Sequence, residues 1–215
     1  MFLTIEADRY HAYQHLLFHM HKTRKVVFHD RLQWDVPVTG DVEIDKYDRL
    51  GPVYLIWCDA SAKQFIGSMR LLPTTGPTLL DEVFRATYPS NVSLSAPSIW
   101  EVTRTCVDDA ALALHHPEKT PAMAFGMIML AVCEWCLLHG VETIVTNYEP
   151  YLARIYRRAG VEVVEIGRAE GYGRYPVCCG MVEISCKLLA RMRRALDVTA
   201  PLLTGSVAGI EGYAA

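Results

Sequence analysis

The sequence lacks an excess of positive charge: 21 lysines and arginines against 24 aspartates and glutamates give a formal net charge of −3. Binding to a nucleic-acid backbone as a bulk property is thereby excluded, because such proteins carry a basic face or a strongly basic domain. A polyanionic partner would have to use a local patch. Phosphate loops are missing as well. No GxxxxGK[ST] occurs, and GYGRYP (171–176) is not preceded by the strand and followed by the helix that a dinucleotide site needs. There is no disulfide framework either. The seven cysteines are odd in number, Cys133/Cys136 and Cys178/Cys179 are closely spaced, and no secretory pattern precedes them, so a reducing, cytoplasmic setting is expected. Internal repeats and low-complexity segments are absent.

What is present is core material. At 215 residues, 51% of them apolar, the chain can bury one sizeable core, which predicts a single domain over 1–196 and a loose Gly/Ala-rich tail over 197–215. The run Pro121 to Gly140 is nearly as long and apolar as a membrane span. Glu134 near its end and the strand-rich surroundings predict instead a helix buried on most sides, with no membrane span.

Residues 1–7 read as a strand, and residues 9–27 place Tyr13, Leu16, Leu17, Met20 and Val27 on one helical face. From Phe28 to Pro52 the periodicity lapses into a long acidic, turn-rich segment of the kind compact domains reserve for function. VYLIWCD (53–59) and QFIGSMRLL (64–72) are strands at hairpin spacing. A short helix over 79–86 follows, then the strand SIWEVTRTCV (98–107), with Glu101 and Thr103 alternating against Val102 and Arg104. The apolar helix comes next, with Pro121 in its first turn. VETIVTN (141–147), a helix ended by Gly160, VEVVEI (161–166), a strand from Val177 and a basic helix over 188–196 complete the chain. A hairpin first and strands alternating with helices later predict an α/β fold, a mixed sheet with flanking helices.

His11, His15 and His19 share a helical face, but no carboxylate joins them, so they read as a solvated stripe and no metal site is assigned. Cys133 and Cys136 have redox spacing late in an apolar helix, where thiolates are not stabilised, and read as small buried hydrophobes. The residues that stand out are Arg24, Phe28, Trp34, Glu43, Asp45, Asp48, Arg70, Glu101 and Arg104. Charges written into apolar strands are costly to bury unless paired, so Arg70, Glu101 and Arg104 are expected to meet partners in a polar cleft, with DVEIDKYD (41–48) supplying carboxylates. On spacing alone, a structural ion-pair network and a catalytic cluster both remain open.

RKVVFHDRLQWDV (24–36), EIDKYD (43–48), GSMRLLPTTGPTLLDEVF (67–84) and WEVTR (100–104), in this order and at these intervals, resemble the acyl-homoserine-lactone synthases, the LuxI-type autoinducer synthases of bacterial quorum sensing. The second half is similar more loosely, through ETIVTN and RIYRRAG. The resemblance implies a GNAT-like acyltransferase fold, a mixed central sheet splayed into a cleft. It implies an enzyme without a cofactor that takes S-adenosylmethionine as substrate and an acyl thioester, from acyl carrier protein or acyl-CoA, as donor. Such enzymes acylate the methionine amine, close the lactone and release methylthioadenosine. Positions carried over by motif are Arg24, Phe28, Trp34, Asp45, Asp48 and Phe84 for substrate, and Arg70, Glu101 and Arg104 for catalysis. An N-acetyltransferase acting on another amine is the alternative, disfavoured because no Arg/Gln-x-x-Gly-x-Gly/Ala pyrophosphate loop follows Val107. A binding module for a thioester or adenosyl ligand is disfavoured because the charged set is complete.

For that chemistry Glu101 is the candidate base, and strand backbone from Val102 to Cys106 the candidate source of oxyanion donors. Phe28 and Trp34 would offer aromatic faces to the sulfonium or the adenine. Asp45 and Asp48 either bind the substrate ammonium or hold the three arginines. Met127 is expected in the acyl pocket, with Thr143 or Thr146 bonding an oxygen on the acyl chain's third carbon. Val102, Arg154 and Arg158 are expected at the donor, the arginines meeting an acidic carrier protein or the phosphates of CoA; a solvated helix face is the default for such a run. Segment 24–36 then reads as a lid, anchored by Arg24 and closed by Phe28 and Trp34.

Overall fold

Of the 215 residues, the computed structural model describes 1–203. β1 (Phe2–Ile5) leads through a 3-10 turn into α1 (Gln14–Arg24), whose Leu16, Leu17 and Met20 are buried. The helix does not lapse at Phe28. Residues 25–31 continue it in π-helical form, with the Leu32 N–H donating to the Val27 carbonyl five residues back. A widened turn of this kind re-aims side chains, and here Phe28 is turned inward. The long segment therefore begins only after Arg31, and it is pinned by a short hairpin, β2 (Val38–Thr39) with β3 (Val42–Glu43), and by a 3-10 turn over Lys46–Leu50. At that turn the Asp45 carboxylate accepts from the Tyr47 and Asp48 N–H groups while Asp48 accepts from the Asp45 N–H, a reciprocal capping box.

β4 (Val53–Cys58) and β5 (Phe65–Pro73) form the expected antiparallel hairpin. α2 (Leu79–Glu82), capped by Thr78, is shorter than the helix expected over 79–86. β6 (Ile99–Val107) returns antiparallel to β5. α3 (Asp109–His115), which the sequence pattern did not reveal, precedes α4 (Pro121–Leu138). β7 (Thr143–Tyr148), α5 (Leu152–Arg158), β8 (Val164–Ala169), β9 (Val177–Glu183) and α6 (Cys186–Leu196) follow.

The seven-stranded sheet has the order β1-β4-β5-β6-β7-β9-β8. Its one parallel junction, β6 with β7, runs from Ile99↔Thr143 to Glu101↔Val145 and then parts, while β6 continues to Val107. β4 shows why both faces are covered: Val53, Leu55 and Trp57 enter the core under α4, and Tyr54, Ile56 and Cys58 the one under α1. Among the described residues α4 is long and apolar enough to cross a membrane, but it lies inside the larger core, with Cys133 and Cys136 buried there as small apolar groups.

The fully buried Glu134 of α4 accepts from Arg193 Nη2 at 3.0 Å and from the Leu202 and Leu203 N–H groups at 2.8 and 3.1 Å. Leu202 and Leu203 are thereby tied to the core, and Leu203 bridges to Phe2. Of the tail expected over 197–215, positions 197–203 are described and 204–215 lie outside the described residues.

Candidate active site

Strict alternation along β6 would send Arg104 into the core beside Val102. Instead Arg104 adopts φ 56° and the ladder with β5 slips between Ser68 and Arg70. This bulge turns the guanidinium to the face carrying Thr103 and Arg70. A non-glycine residue in this region costs ~1–3 kcal/mol, which the surrounding contacts must offset.

They do so through three arginines and three carboxylates. Arg24 donates from Nε to Glu43 at 2.5 Å and from both Nη atoms to Asp48 at 2.8 and 2.9 Å. Arg70 donates from Nη1 to Asp45 at 2.6 Å and Asp48 at 3.0 Å, and from Nε to Thr103 at 3.2 Å. Arg104 donates from Nε to Glu43 at 3.2 Å and from Nη2 to Asp45 at 3.0 Å. Burial opposes ionisation of Asp48, yet Arg24, Arg70 and the Tyr54 hydroxyl overcome it and hold the carboxyl well below the usual range. Burial, with Arg24 and Arg70 nearby, lowers Arg104 from its ordinary value.

Two cavities adjoin the cluster. Beyond Glu101, the parted β6 and β7 enclose one of about 200 Å³ between Thr103–Thr105 and Thr146–Glu149, closed by Phe28, Leu32 and Trp34 from the lid and by Leu152 and Tyr156 from α5. A second, of about 750 Å³, lies between residues 34–37, residues 44–49, the end of α2 and Tyr172. They share Trp34, Leu79, Phe84 and Arg104. Aromatic rings run along this common wall: Phe28 to Trp34 at 5.7 Å between centroids, Trp34 to Phe84 at 5.9 Å, and Phe84 to Tyr172 at 4.8 Å. Arg104 lies 5.1 Å from the Phe28 centroid.

The residues singled out from sequence thus divide. Phe28, Trp34, Phe84, Arg104 and Thr146 stand on cavity walls, and Asp45 reaches one at its edge. Arg24, Asp48 and Arg70 lie behind the walls, where Asp48 bonds Arg24 and Arg70, while Asp45 bonds Arg70 and Arg104 from the edge of the larger cavity. Glu101 does not face the cleft as expected. It is fully buried, and its carboxylate accepts from the Leu79 N–H at 3.2 Å and the Leu80 N–H at 2.5 Å, tying the first turn of α2 to β6. Burial pushes its pKa up despite those bonds.

Met127 and Thr143 also miss both cavities. Met127 packs in the core under the sheet, and Thr143 opens β7 at the closed end of the split, where it pairs with Ile99. Phe125, Tyr148 and Tyr156 line the space instead. The Val102 side chain is in the core, while Arg154 and Arg158 are exposed on α5, off both walls. Sequence reasoning missed Glu149, whose one signal was an acid followed by proline at a strand end.

A mixed sheet parted where β6 and β7 run parallel, with two cavities meeting at the split, is a GNAT-like fold. The family model described as "Autoinducer synthase" matches residues 8–189, and the chain belongs to that family of acyltransferase enzymes. It is 31% identical over 171 residues to an acyl-homoserine-lactone synthase of Agrobacterium fabrum, covering 80% of each chain. Among solved structures it is similar to the AHL synthase LasI (26% identity, TM-score 0.77, 91% of this chain and 93% of that one). It is also similar to BjaI, a CoA-dependent acyl-homoserine lactone synthase solved with SAM and isopentyl-CoA (25% identity, TM-score 0.80, 94% and 91%).

Proposed function

We propose that the protein makes a quorum-sensing signal: it transfers an acyl group from a thioester to the amine of S-adenosylmethionine and then closes the lactone. The carrying observation is that two cavities meet at Trp34, Leu79, Phe84 and Arg104, just beyond the point where β6 loses β7. A two-substrate transfer needs this layout, each substrate in its own space and the reacting atoms at the shared wall.

The donor occupies the smaller cleft, with its thioester carbonyl at the β6 edge. Strand N–H groups freed there are placed to bind the oxyanion, and one such donor is worth ~3–4 kcal/mol of barrier. The adenosyl group occupies the larger cavity against Trp34, Phe84 and Tyr172, where a sulfonium over an aromatic face gains ~0.5–2 kcal/mol. Arg104, on both walls, faces the methionine carboxylate. The amine nitrogen bonds to the carbonyl carbon and the thiol leaves. The carboxylate oxygen then bonds to the carbon bearing the sulfonium, whose C–S bond breaks to release methylthioadenosine. For the second step, holding the chain bent is most of what the protein supplies.

Because Thr146 lines the smaller cavity and Thr143 does not, the bond to an oxygen on the acyl chain's third carbon is assigned in this reading to Thr146. Arg154 and Arg158 are the cationic surface offered to an acyl carrier protein or to the phosphates of CoA. The test is to supply the purified protein with S-adenosylmethionine and matched acyl-CoA and acyl-carrier donors, and to read products by mass spectrometry. Acyl-homoserine lactone and methylthioadenosine in equal amounts are expected. Their absence with every donor overturns the reading.

A further inference from the structure

Glu149 follows the last residue of β7 and is the one acidic side chain on the wall of the smaller cavity among the described residues. It is 4% exposed, and its carboxylate accepts from Trp34 Nε1 at 3.0 Å. An ionised carboxylate offers about four acceptor positions, so one donor leaves most of its capacity free. The other buried carboxylates near the junction are already committed: Asp45 to Arg70 and Arg104, Asp48 to Arg24, Arg70 and Tyr54, and Glu101 to the Leu79 and Leu80 N–H groups. An amine that must lose a proton before attack needs a carboxylate within reach. Among the described residues, only Glu149 combines a place on the donor cavity wall with unspent acceptor capacity and a direct bond to the shared wall, through Trp34.

We propose that Glu149 binds the ammonium of the acyl acceptor and takes a proton from it; this rests on the synthase reading above. Arg104 meets the acceptor's carboxylate, so the amino-acid end lies between opposite charges from β6 and the end of β7. The ammonium gives one proton to Glu149, and its nitrogen bonds to the thioester carbon. As the C–S bond breaks, the leaving thiolate takes a second proton from that nitrogen, which leaves the amide N–H. Glu149 then releases its proton to water. Glu101, in this account, is a positioning residue that holds Leu79 on the shared wall.

Wild-type turnover is measured first, and its absence would overturn the synthase reading rather than this one. E149Q keeps an oxygen for the Trp34 N–H but cannot take a proton, and its kcat is expected to fall by ~10²-fold or more. W34F removes the N–H and the fused ring but leaves the Glu149 carboxylate in place, so it should lose far less kcat than E149Q and act mainly on KM for S-adenosylmethionine. E149A should regain part of its turnover with added formate, a small carboxylate that fits the vacated space. The proposal is overturned by E149Q turnover within about threefold of wild type, by E149Q and W34F losing activity and melting temperature equally, or by folded E149A that formate does not rescue.

Discussion

Replacing Asp48 with Asn separates a scaffold role from a substrate role. The carboxylate accepts from both Nη atoms of Arg24 (2.8 and 2.9 Å), from Arg70 (3.0 Å), from the Tyr54 hydroxyl (2.7 Å) and from the Asp45 N–H (2.8 Å). Asn supplies one oxygen and turns an NH₂ toward groups that are themselves donors, and the buried cluster is left with an uncompensated positive charge. Removing one partner of a buried ion pair costs ~3–5 kcal/mol. For a domain of this size each kcal/mol moves Tm by ~2–4 °C, so D48N should melt ~6–20 °C lower. The pH dependence has a definite sign. Because the folded carboxyl is depressed, its contribution is complete above the ordinary carboxylate pKa of ~4 and is lost as pH falls toward the folded value. The gap between wild type and D48N in urea unfolding should therefore be full at neutral pH and shrink below about pH 4. A D48N protein of wild-type stability with only a raised KM for S-adenosylmethionine would refute the scaffold assignment.

Three further substitutions test neighbouring claims. E101Q replaces one of the two accepting oxygens with an NH₂ that faces a backbone N–H, which should cost ~1–3 kcal/mol and speed amide exchange in residues 79–82; intact protection with slowed chemistry would return Glu101 to the role of base. E134A strands the Leu202 and Leu203 N–H groups, so residues 198–203 should lose exchange protection at a cost of ~2–4 kcal/mol, and unchanged protection would show that the apolar contacts alone hold them. T146V should lower the preference for acyl donors oxygenated at the third carbon by ~10-fold, the worth of one hydrogen bond; an unchanged ratio would remove Thr146 from that contact.

The strands were legible because alternation and turn residues set them, and the charged set because Arg70, Glu101 and Arg104 interrupt apolar strands at a cost that demands partners. The bulge at Arg104 was not legible, since no glycine marks its left-handed φ of 56°. The π segment was not, since a widened turn keeps the same residue types in the same order. The wall of the smaller cavity was misread on α4 for a third reason. A helix apolar all round has no face that the sequence can orient, so nothing told Phe125, on the wall, from Met127, in the core. Glu101 in β6 and Glu149 just past β7 look alike in sequence, and only their hydrogen-bond partners separate a committed carboxylate from one with capacity to spare.

The lid over residues 24–36 is held unequally along its length, and that gradient follows from the energetics of its contacts. At its base Arg24 is fully buried and bonded to Glu43 and Asp48, a connection whose rupture would leave a charge stranded in the interior. At Arg31 the tie is an exposed pair with Asp109 at 2.8 Å, of a kind worth ~0–1 kcal/mol. At Trp34 it is one side-chain hydrogen bond to Glu149, a backbone bond to Phe28 and ring contacts with Phe28 and Phe84. On the proposal that this segment is a lid, movement is expected beyond the π-helical turn, with Arg24 and the ion-pair cluster as its fixed base. Trp34, on the shared wall, is bonded to the carboxylate proposed to receive the proton, so under that proposal displacement of Trp34 would also release the Glu149 carboxylate from its one side-chain donor among the described residues.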